Sequence, residues 1–140
     1  MKTILVGVDG SPESRKAADF AAQIASATAS GLEFAHVLPE IASTLPSANH
    51  GARNGQEERT DRAHVMLFEM SQSVPSPLTA VDTSLLEGGV AHRLAKEAKR
   101  PDIWLVVVGH RGRGAVERVL IGSTADRLTQ ICPKPVIVVR

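Results

Sequence analysis

Residues able to do chemistry concentrate in two short stretches of this sequence. The first is GHRGRGAVERVLIGST, Gly109 to Thr124, which follows the apolar run WLVVV; the second is Val8-Asp9-Gly10-Ser11, which follows TILVG. Glycines at 109, 112 and 122 read as positions open to φ > 0, where a ligand approaches the backbone with no Cβ in the way. The first stretch ends at Gly122-Ser123-Thr124 just ahead of a helical period. The free N–H groups and dipole at such a helix start favour an anion. Arg111, Arg113 and Arg118 outnumber Glu117 here, a balance that suits phosphate. Asp9 has two roles open to it, as an acceptor for a ligand hydroxyl or as the opening residue of an Asp-Gly-Ser-Pro turn. Ser123 reads as the N-cap of the last helix, a role compatible with phosphate contact. The loop arginines are either solvated or act on an anion through their field.

Other chemistries find no support. No G-x-x-x-x-G-K-[ST] is present, and no G-x-G-x-x-G follows the first apolar run, so neither of the two commonest phosphate loops applies. Histidines 36, 50, 64, 92 and 110 lack metal-ligand spacing, and the lone Cys132 removes every disulfide and multi-cysteine metal motif. Cys132 and Trp104 read as packing residues.

The elements that must position Asp9 and the glycine loop follow from hydrophobic pattern. Apolar, β-branched runs at 3–8, 32–38, 103–108 and 136–139, with a weaker run at 78–85, predict five strands. Those at 3–8, 103–108 and 136–139 read as buried on both faces, as in a parallel sheet covered by helices. Between them lie helical stripes: Ala17, Ala21, Ile24, Ala25 and Thr28; Ala63, Met66, Leu67, Met70 and Val74; Val90, Ala91, Leu94 and Ala98; Ala125, Leu128 and Cys132. Ser11 is placed to cap the first helix, with Pro12 in its opening turn and Gly31 closing it. Ser123 and Asp126 form a capping-box-like start to the last, which Pro133 ends. The βαβαβαβαβ order implies right-handed crossovers and one α/β domain spanning 1–140. The expected fold is a doubly wound five-stranded parallel sheet, Rossmann-like with strand order 3-2-1-4-5 and helices on both faces. In such sheets ligands bind beyond the carboxyl ends of the strands where strand order reverses. Asp9 and the glycine loop would then face one crevice.

Composition narrows the partners. A net charge of +1 and an aromatic content of 3% argue against a nucleic-acid binder. No apolar run approaches the roughly 20 residues that span a bilayer, and MKTILVGVDG meets Asp9 too early for a signal-peptide core. The expectation is a cytoplasmic protein with no membrane partner. The stretch from Pro39 to Gly55, rich in Pro, Ser, Asn and Gly, reads as a mobile loop after the second strand.

Gly109-x2-Gly112-x9-Gly122-Ser123-Thr124, a G-x2-G-x9-G-[ST] pattern, resembles the ATP-binding branch of the universal stress protein family. The resemblance extends to VGVDGSPESRKA at 6–17, His36-Val37, VVVGHRGRG at 106–114, IGSTADRL at 121–128 and the closing PKPVIVVR. It implies that Gly7, Val8 and Asp9 line the adenine and ribose side, with Val37 against the base. Val108 and Gly109 would lie beside ribose and phosphates, and Gly112, Gly122, Ser123 and Thr124 would hold the triphosphate. Mg²⁺ commonly accompanies such a nucleotide, with Asp9 the one obvious carboxylate nearby. The implied protein is an ATP-binding stress-response sensor or regulator with little or no turnover and an unspecified protein client. The competing functions are an adenylating enzyme of the nucleotide α-hydrolase type and a stress protein acting by protein contacts alone. Pro135 to Arg140 closes the chain as a short apolar strand at a sheet edge, and pairing with its copy would cover it in a homodimer, as the resemblance also suggests. Valine at 112 or 122 is expected to exclude phosphate and leave the fold intact.

Overall fold

The computed structural model describes residues 1–40, 49–75, 80–112 and 120–140, with backbone alone for 49–54. Strands and helices alternate through them: β1 (Thr3–Gly7), α1 (Pro12–Thr28), β2 (Gly31–Leu38), α2 (Asn49–Ser73), β3 (Val81–Glu87), α3 (Val90–Glu97), β4 (Ile103–Gly109), α4 (Ser123–Ile131) and β5 (Val136–Val139). The strands form one parallel sheet in the order β3-β2-β1-β4-β5. Register places Leu5 beside Val106 and Val6 beside Val107 between the two central strands. From β1 the chain crosses through α1 to β2, whereas from β4 it crosses through α4 to β5, on the opposite side. Crossovers that part in this way open a crevice between the carboxyl ends of β1 and β4.

Alternation along the strands divides the core. Ile4, Val6, Val8, Leu32, Phe34, Leu105 and Val107 pack under α1 and α2, and Leu5, Ala35, Val37, Val106 and Val108 pack under α3 and α4. Helix α1 lies close to the sheet because its inner face is alanine: Ala17, Ala18, Ala21, Ala22 and Ala25 are all buried. Leu67 and Met70 of α2, Leu94 of α3 and Leu128 of α4 supply the bulk. Full burial of each such side chain contributes about 1.5–3 kcal/mol.

Among the described residues one charged side chain, that of Glu33, is buried, and it is paired. Glu33 of β2 reaches Arg100 at 2.8 Å, and the same guanidinium meets Asp102 at 2.8 Å and Glu97 at 3.7 Å. Arg100 thereby ties the end of α3 to β2 and to the start of β4.

Several local expectations are corrected. Helix α2 begins at Asn49, not after Gly55, so of the expected loop only 39–48 precede it, of which 41–48 lie outside the described residues. Once Ala63, Leu67 and Met70 anchor a helix, each further turn costs little, which carries it through weak formers such as Gly51 and Gly55. Helix α1 closes at Ala29, with φ 51°, and Gly31 is instead the first residue of β2. Gly122, not Ser123, is the N-cap of α4, and no side-chain cap bond forms. Asp126 turns its carboxylate along the helix to Gln130 at 3.4 Å. Strand β5 is half-buried at every position because it has a neighbour on one side only. Among the described residues no helix is long and apolar enough to cross a membrane.

Candidate functional site

A cleft of about 960 Å³ opens at the carboxyl ends of β1, β2 and β4. Gly7, Val8, Asp9, Val37, Val108, Gly109, Gly112, Gly122, Ser123 and Thr124 all line it, so every site residue named from the sequence reaches one cavity. Size and position suit a small-molecule site of nucleotide dimensions.

Asp9 is held by its own turn. Its Oδ1 accepts from the Ser11 N–H at 2.9 Å, and its own N–H donates to Ser14 Oγ at 3.3 Å. Ser14 is in turn fixed by α1, its N–H donating to Ser11 Oγ at 3.1 Å and its hydroxyl to the Ser11 carbonyl at 3.0 Å. Gly10, at φ 82°, makes the sharp turn that leaves Asp9 facing the loop after β4. Of the two roles considered for Asp9 the turn is formed: Oδ1 closes it, and Oδ2 lies where a Gly112 β carbon would come within 2.8 Å of it.

The glycines do other work than expected. Among the described glycines positive φ occurs at Gly10 and Gly88 and at none of Gly109, Gly112 and Gly122. What these three lack is room. A β carbon on Gly109 would stand 2.9 Å from the backbone of Glu13, and one on Gly122 would stand 3.2 Å from Arg111 Cα. They let the start of α1, the turn after β4 and the start of α4 close on one another, and that closure forms the cleft floor.

At that floor α4 presents its amino end. The Gly122 N–H donates to the His110 carbonyl, and the first helical bond runs from the Asp126 N–H to the Gly122 carbonyl at 3.0 Å. The N–H groups of Ser123, Thr124 and Ala125 precede that bond and have no partner within the helix, the arrangement that attracts an anion. Because Gly122 supplies the cap, the Ser123 hydroxyl is not spent on it. Arg111 lines the same end and pairs with Glu13 at 3.6 Å.

The other end is apolar, built from Val8, Val37, Val90, Leu94, Val108 and Met66. His36 stands beside it with Nδ1 2.6 Å from the Val8 carbonyl. A carbonyl only accepts, so Nδ1 carries the proton in that contact. Val90 and Leu94 had been read as core alone, and Arg59 and Arg62 went unnoticed on the polar face of α2, yet all four line the cleft. Arg59 and Arg62 stand three apart immediately ahead of Ala63, and nothing else in the sequence sets them apart from a solvated face. Arg113 and Arg118 lie outside the described residues. Among the described residues no group of three or more His, Cys, Asp or Glu side chains is gathered for a metal.

Comparison with known proteins identifies one family. Residues 1–140 match the model of the Universal stress protein family. A Mycolicibacterium smegmatis universal stress protein is 33% identical over 97% of this chain, which spans 47% of that protein. A Thermus aquaticus universal stress protein is 30% identical, with 99% of this chain and 98% of that one covered. The chain thus spans about half of the first relative and nearly all of the second. Among solved structures, universal stress protein UspA of Lactobacillus plantarum superposes with a TM-score of 0.91 at 27% identity, covering 99% of this chain and 97% of that one. An Archaeoglobus fulgidus universal stress protein solved in complex with dAMP gives 0.75 at 20% identity, covering 100% and 98%. Another universal stress protein, solved in complex with cAMP, gives 0.73 at 24%, covering 99% and 96%.

Proposed function

From the premise that this chain belongs to the universal stress protein family, we propose that it binds ATP with Mg²⁺ and acts as a nucleotide-dependent sensor or regulator in the stress response, with little or no turnover. The observation that carries this is the convergence of the apolar pocket, the Asp9 turn and the amino end of α4 on one cleft. Adenine fits between Val37 and the side chains of Val8, Val90 and Val108. Ribose lies at Gly7 and Asp9, with the Asp9 carboxylate accepting from a hydroxyl. The phosphates pass Val108 and Gly109 and end at Gly112, Gly122, Ser123 and Thr124, where N–H groups and two hydroxyls meet them. Mg²⁺ takes most of its oxygen ligands from the phosphates and solvent, with Asp9 as the protein carboxylate within reach. Binding of cAMP and dAMP by two proteins of the same fold is consistent with an adenine site here.

Turnover asks for more than binding. Phosphoryl transfer needs a water-positioning group and a cation on the transferring phosphate. Among the described lining residues Asp9 is the one carboxylate, and one of its oxygens already holds the turn. Denaturing the purified protein and weighing the released small molecules is the direct test, with ATP the expected mass. Calorimetry with MgATP then gives the affinity. Absence of any adenine nucleotide in both experiments sinks the nucleotide reading. A turnover of about 1 s⁻¹ or faster, within the ordinary enzyme range, sinks the assignment as a binding protein and favours the adenylating enzyme.

A further inference from the structure

Helix α2 is longer than the sheet it covers. Its 25 residues extend about 37 Å at 1.5 Å per residue, whereas the 8 residues of β2 extend about 26 Å. Met66 marks where the helix passes the strand ends, since its sulfur lies 3.1 Å from where a Gly10 β carbon would stand. Residues before Met66 therefore project beyond the carboxyl edge of the sheet and overhang the cleft. Arg62 stands one turn out and Arg59 about two, and both line it.

These two guanidiniums are placed without carboxylate partners. Ion pairs among the described residues join Arg93 to Glu97, Arg100 to Glu33, Glu97 and Asp102, and Arg111 to Glu13, and neither Arg59 nor Arg62 takes part. Glu58 offers Arg62 an i,i+4 partner on the same helix, and the pair is not formed within 4.0 Å. Helix α4 packs on the other face of the sheet from α2, so its amino end meets the cleft from a different side, where Arg111 also lines it, and Asp9 is the one carboxylate among the described lining residues.

We infer that Arg59 and Arg62 form a phosphate clamp closing the cleft from above, opposite the α4 amino end, and that the clamp selects adenine nucleotides by phosphate number, triphosphate over monophosphate. This deepens, and rests on, the nucleotide reading of the cleft. Guanidinium forks bind phosphate oxygens bidentately, and a second anchor on the far side of the ligand rewards each added phosphate. A monophosphate ends beside Val108 and Gly109, short of the second anchor. A triphosphate carries enough charge and length to engage both walls.

The experiment compares adenosine, AMP, ADP and ATP by calorimetry on wild type, the Arg59→Gln/Arg62→Gln double variant and the charge-retaining Arg59→Lys/Arg62→Lys variant. Both arginines are exposed on a helix surface, so all three proteins fold. Wild-type affinity rises from AMP to ATP, and the Gln variant loses at least tenfold for ATP and less than twofold for AMP. The Lys variant keeps part of the gradient, and inorganic triphosphate competes with ATP on wild type and poorly on the Gln variant. ATP affinity unchanged in the Gln variant, or an equal loss for AMP and ATP, overturns the clamp and leaves the nucleotide site standing. Wild type that binds none of the four ligands overturns both.

Discussion

At Gly109 a β carbon would press on the Glu13 backbone from 2.9 Å, and at Gly112 it would press on the Asp9 carboxylate from 2.8 Å. The distances are alike and the consequences differ, because backbone at a helix start cannot yield while a carboxylate can swing aside. Gly109→Ala is expected to destabilise the fold by about 1–3 kcal/mol, the usual cost of overpacking, read as a lowered urea midpoint. Gly112→Ala should leave that midpoint nearly unchanged and weaken MgATP binding by about tenfold, roughly 1.4 kcal/mol, since the displaced side chain is the one carboxylate among the described lining residues. Equal loss of stability in the two variants would contradict this division. Gly122→Val is expected to strain this turn as well as exclude phosphate, because its β carbon would stand 3.2 Å from Arg111 Cα and 3.3 Å from the His110 carbonyl oxygen, and its urea midpoint measures that strain.

At the scale of elements, Arg100 is the joint between α3, β2 and the start of β4. Hydrogen bonding to Arg100 holds the Asp102 carboxyl below its usual range, and the carboxylates around Arg100 hold its guanidinium more firmly charged. A carboxyl group lowered in the folded state stabilises the fold when ionised. Its contribution is complete above the unfolded value and is lost as pH falls through the folded one. Urea midpoints measured downward from neutral pH should therefore fall below about pH 4, and the fall should be shallower in Asp102→Asn. Arg100→Ala removes the partner of Glu33, whose side chain is 7% exposed. Leaving that charge buried and unpaired should cost about 3 kcal/mol, and a smaller loss in Arg100→Ala/Glu33→Gln than in the single variant would show that the stranded charge is the cause.

For the whole molecule, the open question is what covers the sheet edges. Strand β5 shows half-buried valines and isoleucine on both faces, with β4 as its one neighbour. We propose that a second copy pairs along it. Sedimentation velocity at micromolar concentration should then give about twice the 14.9 kDa of one chain, and a monomer would remove the homodimer. Strand β3 closes the opposite edge with Asp82 and Thr83 exposed and Glu87 at its end, charges that discourage the same pairing there.

The alternation of elements, the burial of β1 and β4 and the pairing of Asp9 with the glycine loop were all legible in the residue order. The first two depend on periodicity or on turn chemistry within a few neighbours, and the third follows from the strand order they impose. Five strands separated by amphipathic helices leave few ways to cover a parallel sheet, which is why the order β3-β2-β1-β4-β5 was reachable from pattern alone. What the sequence could not decide are matters of contact between distant segments. Glycine at 109 and 122 signals that a Cβ is unwelcome, and only packing shows that Glu13 and Arg111, not φ, exclude it. The start of α2 was hidden because its weak formers are carried by tertiary anchoring further along the helix. Arg59 and Arg62 look in sequence like any solvated face. Only the overhang of α2 past the strand ends, a difference between helix length and strand length, brings them over the cleft.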